Sequence, residues 1–142
     1  MNDTMRTFGY PDTLICEYDH WVVLLRPAQP TLGSLVLAAK SDVTAFADLP
    51  AAAFAELSKV SNDIDSALKA SVKFEKLNYL MLMMVDPHVH YHVIPRYEGI
   101  RSHAGTEYSD AGWPKVPALG EAVKLTNDMI ATLVADLKTV WA

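Results

Sequence analysis

The chain has 142 residues, 51% hydrophobic and 20% charged, a balance that suits one folded domain with its own core and excludes a disordered polymer. Its 12 Lys and Arg stand against 17 Asp and Glu, a formal charge of −5, and no basic block occurs. A nucleic-acid partner held on a clustered cationic surface is therefore excluded. The single cysteine, Cys16, rules out an intramolecular disulfide and a thiolate metal centre. No apolar run approaches membrane-spanning length, and the opening "MNDTMRTFGYPD" lacks the apolar stretch of a signal peptide. The expectation is a cytoplasmic protein with no membrane partner.

In chain order, "TLICEYDHWVVLLRP" predicts two short strands, Leu14–Tyr18 and Trp21–Leu25, joined at an Asp19-His20 corner. "PAQPTLG" reads as a loop, and "SLVLAAK", apolar on both faces, as a central third strand. A helix follows with Asp48 as N-cap and Pro50 in its first turn. Phe54, Leu57, Val60, Ile64 and Leu68 form its buried stripe, and Glu56, Lys59, Asp63 and Lys69 its solvated face. "KLNYLMLMMV" predicts a fourth strand, with Met81, Met83 and Met84 as core filler. Asp86-Pro87 breaks it, and "HVHYHVI" runs as a fifth, antiparallel strand as far as Pro95. Residues 96 to 120 hold too much Gly, Pro and polar character for regular structure, and a final helix spans Glu121 to Trp141. The order predicts one α+β domain over residues 1–142, an antiparallel sheet of about five strands with a central and a C-terminal helix.

His88, His90 and His92 stand at alternate positions of the fifth strand, so their side chains share one face about 6.6 Å apart, while Val89, Tyr91 and Val93 face the core. Three uses of such a row compete. It could be an inert solvated face. It could ligate zinc, although a flat row suits a tetrahedral ion poorly and Asp86 is the one nearby carboxylate to orient a ring. It could also attack phosphorus, since neutral imidazole is nucleophilic near pH 7 and flanking imidazoles can donate to phosphoryl oxygens.

The segment "HVHYHVI", with the trailing "IPR", resembles the histidine triad motif, His-φ-His-φ-His-φ-φ with φ hydrophobic, at all seven positions. The resemblance extends upstream through "TLGSLVLAAK" and covers residues 14 to 101, leaving 102 to 142 as an extension. It implies that His90 is a nucleophile carrying a nucleoside monophosphate, that His88 and His92 position and protonate phosphate oxygens, and that no cofactor or catalytic metal is used. It implies a homodimer acting on nucleotide conjugates such as dinucleoside polyphosphates or nucleoside phosphoramidates, as hydrolase or nucleotidyl transferase; a zinc hydrolase and a non-catalytic nucleotide binder are the alternatives. Asn78, Asp86 and Arg96 are the candidate substrate-binding residues.

The chain departs from the family pattern at three places. Met84 and Val85 stand where the family places polar phosphate-holding residues before the triad. Leu24, Leu25 and Arg26 occupy the region of its ribose-binding Asp or Asn, and a guanidinium cannot accept from a hydroxyl. Ser34 replaces an additional histidine, for which His20 and His103 are the available substitutes.

Overall fold

The structure, a computed structural model, describes residues 1–141. Its strands are β1 (Leu14–Glu17), β2 (Trp21–Leu25), β3 (Ala28–Gln29), β4 (Leu35–Ala39), β5 (Lys76–Leu80), β6 (His90–Arg96), β7 (Ile100–His103), β8 (Thr106–Ser109) and β9 (Val123–Lys124). The helices are α1 (Asp3–Thr7), α2 (Ala51–Ser71) and α3 (Asn127–Val140). An antiparallel sheet of five strands, as the sequence pattern predicts, runs in the order β1-β2-β4-β6-β5. Every residue of β2 and β4 is buried, because both faces of these central strands are covered.

The two faces have different covers. Trp21, Val23, Leu25, Leu35, Leu37, Val89 and Val93 join Val60, Ile64 and Leu68 of α2 and Leu133, Val134 and Leu137 of α3 in the larger core. The Trp21 indole N–H donates to the Ala53 carbonyl at 2.8 Å, locking β2 to α2. On the opposite face, Val22, Leu24, Val36 and Ala38 pack under Met5, with Phe8, Tyr10 and Leu14 at the margin. Short α1, which the sequence reading did not anticipate, supplies this second cover. Its Asn2 cap side chain accepts from the Met5 N–H and donates to the carbonyls of Ala39 and Ser41, pinning the N-terminal segment to the end of β4.

Several expectations are corrected. Asp48 lies in a single 3₁₀ turn, Phe46–Asp48, and Pro50 is the N-cap of α2 without a side-chain bond. Proline forces Leu49 into extended backbone (ψ 142°), so the helix cannot start earlier. Phe54 is exposed, whereas Asp63, expected on the solvated face, is buried and accepts from the Tyr18 hydroxyl at 2.8 Å. Strand β5 stops at Leu80; Met84 is 86% exposed and is no core filler.

Strand β6 begins at His90, leaving His88 just ahead of it, and continues through Pro95. β4 stops pairing with β6 at Val93, so Pro95 sits where its missing N–H breaks no ladder bond on that side. Residues 100–109 form a β7–β8 hairpin, with Ala104 and Gly105 at φ 49° and 83° supplying its two-residue turn. The last helix starts only after Thr126, whose hydroxyl accepts from the Met129 N–H, because Val123–Lys124 is drawn off to pair with β3.

The end of β6 is clamped by Arg96. Its guanidinium donates to both Asp110 carboxylate oxygens (2.7 and 3.1 Å), to Asn78 Oδ1 (2.8 Å) and to the Lys115 carbonyl (2.7 Å). The Arg96 and Asp110 side chains are 5% and 1% exposed, so removing one leaves an uncompensated buried charge. Arg96→Met is expected to lower unfolding free energy by about 3–5 kcal/mol, read from urea midpoints. A change below about 1 kcal/mol would show the pair to be solvent-screened.

Candidate active site

Strand alternation puts His90 and His92 on the sheet face covered by α1, paired across the ladder with Ala38 and Val36 of β4. Val36 in turn pairs with Leu24 of β2. Behind the histidines, Val89 and Val93 are fully buried, and Tyr91 is half-buried against Trp21, Phe46 and Tyr79. The alternation of the motif thus anchors the strand from one face and presents imidazoles on the other.

The two strand histidines are buried, with ring centroids 5.2 Å apart at an interplanar angle of 80°. The Phe8 ring lies 5.6 Å from each. A cavity of about 360 Å³ opens onto them, lined by Phe8, Arg26, residues Leu82 to Asp86, His90 and His92. Leu82, Met84 and Val85 form an apolar rim, the last two 86% and 89% exposed.

Hydrogen bonding distinguishes the rings. His90 Nδ1 is 2.8 Å from the His88 carbonyl. A carbonyl only accepts, so Nδ1 carries the proton and Nε2, which has no hydrogen bond among the described residues, holds the lone pair. His88 Nδ1 donates likewise to the Asp42 carbonyl at 2.9 Å, and its backbone N–H donates to Thr4 Oγ1 at 3.3 Å. His92 differs: its Nδ1 is buried with no partner among the described residues. Burial, then the nearby Arg26 charge, then His90 hold its pKa down at about 4. His92 is therefore neutral at pH 7, and protonating phosphate oxygens as an acid, the role that the resemblance implies for it, does not suit it.

Of the residues singled out from sequence, the structure brings His90, His92 and Asp86 to one cavity, with His88 adjoining through its carbonyl. Asn78 and Arg96 are not there; Arg96 donates to Asn78 and to Asp110 in the clamp described above. His20 sits at the β1–β2 corner, His103 bonds Asp136 at 2.6 Å, and Ser34 is buried in a network with Thr31 and Gln29, so none of the three replaces the missing histidine. Sequence reading missed Phe8, for which no local signal exists, and set Arg26 aside as an unsuitable ribose ligand. Its signal was its place at the end of an apolar strand, in the same parity as Leu24. Among the described residues, no three of the His, Cys, Asp and Glu side chains are placed to hold a metal ion together.

A HIT-domain family model matches residues 8–99. Among solved structures, the chain is similar to histidine triad protein blr8122 of Bradyrhizobium japonicum, with 21% identity and TM-score 0.76, over 100% of this chain and 97% of that one. It is also similar to a histidine triad protein of Sinorhizobium meliloti, with 22% identity and TM-score 0.74, over 99% and 95%. A Zn-bound histidine triad family protein of Mycobacterium smegmatis lies further off, with 18% identity and TM-score 0.58, over 96% and 93%. At these identities the likeness establishes the fold. No curated protein matches in sequence.

The depressed His92 pKa has a stability consequence. Unfolded, the imidazole titrates near 6.5; folded, near about 4. Between these values the unfolded chain binds the extra proton, so stability is full above pH 6.5 and falls as pH drops towards 4. The expected loss reaches about 3 kcal/mol. Urea midpoints measured from pH 7 to pH 4.5 should fall more steeply for the wild type than for His92→Asn, and parallel profiles would contradict the assignment.

Proposed function

The chain belongs to the histidine triad (HIT) family, whose members include nucleotide hydrolases and transferases, and on that premise we propose that it cleaves nucleotide conjugates through a nucleotidyl-His90 intermediate. The observation that carries this reading is the His90 Nδ1–H bond to the His88 carbonyl, which leaves a nucleophilic Nε2 beside a cavity large enough for a phosphoryl group.

The Nε2 lone pair attacks phosphorus and forms an N–P bond. The bond from phosphorus to the leaving group breaks, and its electron pair departs with that group, which takes a proton from water. The positive charge on the phosphorylated imidazole is shared with the His88 carbonyl through Nδ1–H. Water then attacks phosphorus and loses a proton to solvent. The N–P bond breaks, its electron pair returns to Nε2, and a nucleoside monophosphate is released. His92, neutral, contributes an N–H donor to a phosphoryl oxygen rather than acid catalysis. The site-lining Asp86 is an acceptor for substrate hydroxyls. If another nucleophile replaces water in the second step, the same intermediate makes the protein a transferase.

We place this activity in a homodimer in the cytoplasm, where the lone Cys16 remains a thiol. Strand β5, at the open edge of the sheet, offers a surface for a second copy.

The test incubates wild type, His90→Ala and His92→Ala with labelled dinucleoside polyphosphates and nucleoside phosphoramidates, quenched in alkali. Wild type or His92→Ala is expected to gain an acid-labile nucleoside monophosphate on residue 90 by intact mass. His90→Ala should gain none and lose at least about 10⁴-fold in kcat/KM. Nucleotide binding without adduct or turnover across the panel would instead make this a non-catalytic binder.

A further inference from the structure

Arg26 carries a charge that no described residue answers. Directly after β2, its backbone N–H donates to the Ser34 carbonyl at 3.0 Å, which extends the β2–β4 ladder and keeps its side chain on the face of Leu24, Val36 and His92. One guanidinium nitrogen, Nη1, donates to the Ala28 carbonyl at 2.6 Å. Nε is buried with no hydrogen-bond partner among the described residues. Among the described residues no carboxylate stands within ion-pair distance of Arg26. Burial lowers the pKa of its guanidinium, yet arginine stays charged under these conditions. A part-buried cation with an unused N–H donor and no counter-charge is costly unless an anion joins it. This one lines the same cavity as His90 and His92.

We propose that Arg26 is the anion anchor of this site, binding the phosphate linked to the one that His90 attacks, so that conjugates with two or more linked phosphates are preferred over nucleoside phosphoramidates with an amine leaving group. This rests on the reading of His90 given above and narrows its substrate class. It also accounts for the apolar Met84 and Val85 at the rim: the phosphate donors come from the end of β2 instead of from the segment before the triad. The guanidinium supplies a planar fork of N–H groups matched to phosphate oxygens, beside a neutral His92 that adds a donor without competing for the anion.

The test is calorimetric binding of adenosine 5′-methylenediphosphate, AMP and adenosine, none of which requires turnover. Wild type should bind the diphosphate at least about tenfold more tightly than AMP. Arg26→Gln should bring the two within about twofold of each other while adenosine affinity is unchanged. Arg26→Met, which removes the unpartnered Nε with little change of volume, gives the same readout should the Gln variant unfold; melting curves establish which variant is used. A wild type without the diphosphate preference, or a variant that keeps it, overturns the anchor. An intact preference with no adduct on residue 90 leaves the anchor standing and removes the catalytic reading; an adduct without the preference does the reverse.

Discussion

The 2.8 Å bond from His90 Nδ1 to the His88 carbonyl is the constraint on which the chemistry of this site depends. An imidazole with a free choice of tautomer would offer an N–H or a lone pair to the cavity in proportions set by solvent. A backbone carbonyl removes the choice, because it can only accept. It can do so here because His88 lies just before β6, where its carbonyl is not committed to a ladder partner. The same residue that the motif numbers as first in the row therefore acts on the second through its backbone.

Around that bond the sheet does two jobs with one alternation. Val89 and Val93 sink into the larger core under α2, so the strand cannot slide without exposing them. The histidines are then turned towards α1, where Phe8 covers both. Burial, with Arg26 beside it, keeps the His92 ring neutral. Burial, an aromatic lid and a neighbouring cation all act in one direction. Together they leave His92 a neutral partner of His90, the proposed nucleophile.

The triad and its strand were legible because a period of two is local: seven consecutive residues carry both the anchor and the chemistry. The antiparallel pairing of β5 with β6 and the body of α2 were legible for the same reason. The cavity was not, since Phe8 and Arg26 reach it from elements remote in the chain, and only the register of β2, β4 and β6 brings them together. Asn78 and Arg96 misled because polarity on an apolar strand marks a site and a structural clamp equally well; Asp110, in a segment with no regular pattern, decides for the clamp. The β7–β8 hairpin was hidden behind the weak turn dipeptide Ala104-Gly105, and the start of α2 was misplaced because Pro50 outweighs the capping preference of Asp48.

The most direct test of the central claim is the tautomer of His90, read by ¹⁵N-¹H correlation of the imidazole nitrogens at pH 7 in histidine-labelled protein, with His90→Asn to assign the signals. The expected result is a protonated Nδ1 and an unprotonated Nε2 with no averaging between them. A proton on Nε2, or a single exchange-averaged pair of shifts, would contradict it.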